Sequence, residues 1–173
     1  MEATKVLNGP VLIWPKTYTD IRGCFREIYN PNYTEYAPEK WVQINHSCSR
    51  TGALRGLHYR EGEAKLISVI CGAIYDVVVD IRQGSETFGQ WLGFNMTTGS
   101  QIYIPAGFAH GFVVVSSTAE MVYCTNKTYD PKESKGIAWD DPDLKISWGT
   151  KSPIVSEQDK CNPSWKEYLQ NVK

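Results

Sequence analysis

Three histidines, His46, His58 and His110, are the groups in this 173-residue chain best suited to move protons near neutral pH. His58 lies in Leu54-Arg-Gly-Leu-His-Tyr59. On a regular strand Arg55 and His58, three apart, point to opposite faces. Gly56 between them permits a bulge that turns both inward. On local sequence alone, a half-buried strand histidine is the commoner use of such a residue. Gln43 and Asn45, two apart, share a strand face and offer their amides to a polar ligand or to solvent. His110 sits in Ile104-Pro-Ala-Gly-Phe-Ala-His-Gly-Phe112, a turn leading into a strand. Phe112 and Val114 share its face. Tyr123 alternates with Ala119, Met121 and Thr125, and a phenol on such a face either donates a proton or packs. No His-x-His occurs. A metal site would need His58, His110 and an acid gathered by the fold, and the spacing gives that no support.

These groups must be carried on strands. From Trp41 to Tyr123 the pattern is short β-branched and aromatic runs broken by glycine-bearing turns. Lys65–Cys71 is one run, ended by Gly72. Ala73–Ile81 follows at once, so the two are expected to form a tight hairpin. Within the second run Tyr75, Val77, Val79 and Ile81 share one face, and Asp76, Val78 and Asp80 share the other. Two acids on one strand face imply solvent or a polar cavity. Further runs fall at 88–95, 101–104, 107–115 and 119–125. So many strands with so little helix between them predict an all-β sandwich or jelly roll. The tail after Pro163 is the expected short C-terminal helix. No repeat, linker or low-complexity segment divides the chain, so residues 1–173 read as one domain.

Composition narrows the function classes. The formal net charge is −1, which leaves no bulk basic field to hold nucleic acid. No stretch approaches the roughly 20 apolar residues of a membrane helix. Residues 1–11 do not read as a signal peptide. The five cysteines are scattered, without a CxxC pair. That favours neither a zinc ribbon nor a disulfide framework and points to a reduced, cytoplasmic setting.

Several segments, taken in order, resemble one known family, the dTDP-4-dehydrorhamnose 3,5-epimerases. They are Asp20–Glu27, Gln43-Ile-Asn45, Leu54–Tyr59, Asp76–Arg82, Ser85–Gly89, Ile104–Phe112, Gly136–Pro142 and Val155–Asp159. Their joint order and spacing displaces the plain reading of His58. The resemblance implies a cupin-like jelly-roll β-barrel that inverts carbons beside the ketone of a nucleotide-linked 4-keto-6-deoxy hexose. It implies catalytic roles for four residues. His58 is the base and Asp159 its partner carboxylate. Lys65 supports the enolate oxygen, and Tyr123 is the acid on the opposite ring face. It implies ligand contacts at Arg22, Glu27, Gln43, Asn45, Arg55 and His110, with Tyr129 stacking on the nucleobase. It implies no cofactor and no metal, because the substrate's own ketone acidifies the neighbouring protons. It also implies a homodimer with exchanged strands.

Three positions depart from the family pattern. The segment between His58 and Lys65 is shorter than usual, Ser134 stands where an acid is usual, and Gln158 where a lysine is usual. The shorter segment bears on the placement of Lys65 or on one wall of the site, whereas the changes at Ser134 and Gln158 fall in the binding shell. A thymidine diphosphate sugar is the expected substrate, with cytidine or guanosine diphosphate sugars as alternatives. Inversion at C3, at C5 or at both stays open. A non-catalytic sugar-nucleotide binding barrel would keep Arg55, Gln43 and Asn45 but would need no base.

Overall fold

The computed structural model describes residues 2–32 and 35–172 and is built mainly from strands. They run β1 (Glu2–Lys5), β2 (Val11–Trp14), β3 (Thr17–Asp20), β4 (Gly23–Arg26), β5 (Gln43–Arg50), β6 (Ala53–Tyr59) and β7 (Lys65–Cys71). Then come β8 (Ala73–Asp80), β9 (Trp91–Thr97), β10 (Gln101–Ile104), β11 (Phe108–Val114), β12 (Thr118–Thr125), β13 (Lys135–Gly136) and β14 (Ile154–Val155). Two short helices close the chain, α1 (Glu157–Lys160) and α2 (Trp165–Asn171).

The first sheet has the order β1-β2-β10-β7-β12-β5. The second has the order β13-β6-β11-β8-β9, with β14 added alongside β6. A hairpin of β3 and β4 stands apart from both. The sheets face each other across a shared core. Ile67, Val69, Ile102 and Met121 come from the first, and Ile74, Val78, Phe112 and Val114 from the second. This is the expected cupin-like jelly roll.

The outer face of the second sheet is also covered. Leu54, Val77, Val79 and Val113 pack against Ile137, Leu144, Trp148, Trp165 and Tyr168 of the C-terminal segment. Burying each such aliphatic side chain contributes roughly 1.5–3 kcal/mol, so this segment is an integral wall. Ser164 starts α2 with a capping box closed by Glu167. The helix then lays Trp165 and Tyr168 inward, stacked 4.9 Å apart. None of the helices is long and apolar enough to cross a membrane among the described residues.

Two expectations fail. β7 and β8 do not form a hairpin. β7 pairs with β10 and β12, whereas β8 pairs with β9 and β11. The chain crosses between sheets at Gly72, where φ is +86°. A Cβ there would lie 2.1 Å from the Thr118 carbonyl oxygen, so only glycine fits this crossing. The run expected from Phe88 starts later, at Trp91. The hydroxyls of Ser85 and Thr87 donate to Asp80, which folds the preceding residues into a turn. The two acids of β8 face inward and are fully buried.

Candidate active site

The site begins with an irregularity in β6. His110 of β11 lies opposite His58, but Phe112 lies opposite Arg55. Two residues of β6 therefore span one residue of β11, which is the bulge that Gly56 permits between Arg55 and His58. Gly56 sits in it with φ +132°. A Cβ on Gly56 would come 2.5 Å from the Gly111 Cα. The strands can approach this closely only because both positions are glycine.

Asp159 reaches His58 by a separate route. β14 pairs in parallel with the start of β6, at Ala53 and Leu54. Ser156 then caps α1, whose one buried residue is Asp159. His58 Nε2 and Asp159 Oδ1 are 2.5 Å apart, and the Gly56 N–H donates to Asp159 Oδ2 at 3.2 Å. Burial by itself raises the Asp159 pKa. The His58 hydrogen bond and charge, the Gly56 N–H and the Ser156 hydroxyl outweigh it, and the net direction is downward. Asp159 is thus an acceptor at neutral pH. It draws the imidazole proton to Nε2 and leaves Nδ1 as the basic nitrogen.

The opposite wall comes from the first sheet. Lys65 opens β7, Tyr123 lies on β12, and Gln43 and Asn45 lie on β5. His58, Lys65 and Tyr123 line two adjoining chambers. The outer one, about 280 Å³, is also lined by Gln43, Asn45, Lys127, Tyr129 and Ser134. The inner one, about 170 Å³, adds Ser47, Arg55, His110 and Phe112. Gln43 Nε2 donates to Asn45 Oδ1 at 2.7 Å, and the Tyr129 N–H donates to Gln43 Oε1 at 2.7 Å. This chain of amides holds the Tyr129 ring at the mouth. Burial pushes the Tyr123 phenol above its ordinary pKa. Arg55 pulls it down and Glu63 pushes it further up, with a net rise. The phenol therefore keeps its proton at neutral pH.

Sequence reasoning missed Arg60, Glu63 and Lys127. Glu63 Oε2 lies 3.3 Å from Lys65 Nζ and restrains that ammonium. Lys127 Nζ donates to the Glu61 carbonyl at 2.6 Å, and Asn126 Nδ2 donates to the Gly62 carbonyl at 3.1 Å. These bonds clamp the short loop before Lys65. A usable signal existed for Glu63 alone, because it lies two residues before Lys65 and shares its face if the strand continues.

Arg22 and Glu27 are not brought to this cavity. Both lie on or beside the β3–β4 hairpin. The Arg22 side chain is 86% exposed and pairs with Asp20, and Glu27 accepts from Asn30 at 3.1 Å. Ser134 does line the outer chamber. The neighbouring Glu133 pairs with Arg60 at 3.4 Å, and Gln158 is exposed. Among the described residues no group of three His, Cys, Asp or Glu side chains is placed to hold a metal ion.

Residues 4–167 match the family model described as dTDP-4-dehydrorhamnose 3,5-epimerase. The chain belongs to this family. A relative from Pseudomonas aeruginosa bearing that name is 44% identical over 169 residues, covering 92% of this chain and 93% of the relative. The crystal structure of a dTDP-6-deoxy-D-glucose-3,5-epimerase from Legionella pneumophila, in complex with dTDP-4-keto-L-rhamnose, is 38% identical. It superposes with a TM-score of 0.87 over 93% of this chain and 89% of that one. An epimerase structure from Mycobacterium tuberculosis reaches a TM-score of 0.94 at 31% identity, over 99% of this chain and 92% of that one.

Proposed function

We propose that this chain inverts C3 and C5 of a dTDP-linked 4-keto-6-deoxy hexose by enolisation and reprotonation. The observation that carries this reading is His58 on one sheet, paired with Asp159 of α1, facing Tyr123 on the other sheet, with Lys65 in the same cavity. Inversion requires a base on one face of the sugar and a proton donor on the other. A base that returns its own proton to the same face regenerates the starting configuration.

His58 Nδ1 removes the proton from the carbon beside the ketone. The C–H electrons become the enolate double bond, and the carbonyl π electrons move to oxygen. Lys65 stabilises that oxygen as a cation already in place. Asp159 stabilises the imidazolium. The Tyr123 hydroxyl then protonates the carbon from the far face and collapses the enolate to the ketone. The tyrosinate recovers a proton from solvent, and the His58 imidazolium releases the proton it took to solvent, which resets the site. The raised pKa of Tyr123 suits this order, since the phenol is not ionised before the enolate forms. The same cycle at the second carbon completes the reaction.

In the outer chamber Tyr129 stacks on the base and Gln43 and Asn45 meet its polar edge. Arg55 takes the diphosphate in a forked contact. A homodimer with exchanged hairpins supplies Arg22 and Glu27 to the partner's cavity. The exposure of Ile21 (103%) and Phe25 (65%) on that hairpin supports this, since an apolar tip standing in water marks an interaction surface.

The test is incubation with dTDP-4-keto-6-deoxyglucose in D2O, followed by NMR at C3 and C5. Deuterium at both carbons with inverted product is expected. No uptake at either carbon rejects the reading, and uptake at one only rejects double inversion.

A further inference from the structure

A second histidine–carboxylate pair lies beside the first. His110 and His58 are direct cross-strand partners on β11 and β6, so their side chains leave the same face about 5 Å apart. His110 Nε2 lies 2.7 Å from Asp76 Oδ2. Asp76 comes from the next strand, β8, where it is opposite Phe112 and so diagonal to His110. It is fully buried, and His110 is 8% exposed. Both imidazoles therefore carry a carboxylate on Nε2.

His110 is the more enclosed of the two histidines. Its ring packs against Phe112 at 6.3 Å. Among the described residues Nδ1 meets no hydrogen-bond partner, although the residue lines the inner chamber with His58 and Tyr123. Asp76 Oδ1 is buried without a partner. A core position in which only one carboxylate oxygen is satisfied is costly. An apolar residue of that volume would pack against Ile74 and Val78 at no such cost, and the position holds an acid.

We propose that Asp76 is a positioning residue. It accepts the Nε2 proton of His110, so that Nδ1 presents a lone pair to a hydroxyl of the hexose in the inner chamber. This contact sets how the ring is seated over His58, and so whether both carbons are presented in turn. The inference rests on the proposed epimerisation and extends it to a residue outside the proton-transfer set. An asparagine at 76 offers either an acceptor or a donor to Nε2, and His110 is then no longer held in one tautomer. Misplacement of a sugar by about 1 Å costs on the order of 100-fold in rate, and the carbon whose approach depends most on seating suffers most.

The experiment compares wild type, Asp76→Asn, His110→Gln and the double variant. Deuterium uptake at C3 and at C5 is followed over time with dTDP-4-keto-6-deoxyglucose, alongside circular dichroism. The ratio of the two uptake rates is the deciding readout, since a merely structural loss lowers both carbons equally. Asp76→Asn is expected to slow one carbon at least tenfold more than the other. His110→Gln is expected to shift the ratio likewise, and the double variant to match His110→Gln. An unchanged ratio in Asp76→Asn, or an Asp76 effect that persists in the His110→Gln background, overturns the proposal. If Asp76→Asn does not fold, Asp76→Ser, which leaves room for a water, is read in the same way. Failure of wild type to exchange at all rejects the epimerase reading and this inference with it. Normal wild-type exchange with an unaltered variant rejects the inference alone.

Discussion

His58 Nε2 and Asp159 Oδ1 lie 2.5 Å apart although 101 residues separate them in the chain. The contact exists because β14 docks on β6, the strand that carries His58. Asp159→Asn keeps the shape but offers an amide that can donate to Nε2. That favours the tautomer with its proton on Nδ1, the nitrogen assigned as base. A loss on the order of 10²- to 10⁴-fold in kcat is expected, with little change in KM. Steady-state kinetics measures it, and a loss confined to KM would refute the assignment.

Tyr123→Phe separates exchange from inversion. The base and the enolate support are intact, so deuterium uptake continues. The far-face donor is gone, so protons return largely from the His58 side. NMR should find deuterated starting sugar and little inverted product. Inversion at full rate in this variant would remove Tyr123 from the mechanism.

Gly56→Ala tests the bulge. The added Cβ would lie 2.5 Å from the Gly111 Cα, and φ is +132°. Neither strand can shift without moving Arg55, His58 and the Gly56 N–H that donates to Asp159. Destabilisation of at least about 2 kcal/mol is expected, together with loss of activity in whatever protein still folds. Urea denaturation and kinetics on the folded fraction measure the two effects.

Much of this site was legible in sequence, for identifiable reasons. Strand alternation put Gln43 with Asn45 and Tyr123 with Met121, and Gly56 within the three-residue spacing of Arg55 and His58 marked a place where a bulge is permitted. The β7–β8 hairpin was misread because adjacency does not choose strand partners. Both flanks of each strand are taken by other strands, and Gly72 serves a crossing between sheets. Asp159 carries no local signal, since α1 is only four residues long, and family resemblance alone pointed to it. Arg60, Glu63 and Lys127 lie outside the strand interiors, where no periodicity marks the inward side. The inward acids of β8 were readable as a polar face, but their partners His110, Ser85 and Thr87 were not.

Asp80 supplies a pH test of stability. It is fully buried and accepts from Arg82, Ser85 and Thr87. Burial alone raises its pKa, but these donors outweigh burial and hold the carboxyl well below its ordinary 3.8. A depressed folded-state value contributes stability above the unfolded value and loses it as pH falls through the folded one. Asp80→Asn should therefore be less stable than wild type at pH 7, by about 1.5–3 kcal/mol. The gap should narrow steadily below about pH 4. Urea melts at pH 7, 5, 4 and 3 provide the comparison, and a constant gap would show that the charge is not responsible.

Arg22 stands 86% exposed on a hairpin away from its own cavity, and an exchanged dimer would place it in the partner's. Complementation distinguishes this from a role within one chain. Arg22→Ala and His58→Ala are each expected to be strongly impaired as purified homodimers. In a mixed dimer, one cavity combines His58 from the first variant with Arg22 from the second, and the other cavity lacks both. Random re-pairing makes about half of the dimers mixed, each with one complete site, so activity should recover to about one quarter of wild type. Recovery should follow subunit exchange in time and should be absent when two His58→Ala preparations are mixed. If the Arg22→Ala and His58→Ala mixture gains nothing after re-pairing verified by mass spectrometry, Arg22 acts within its own subunit or not at all.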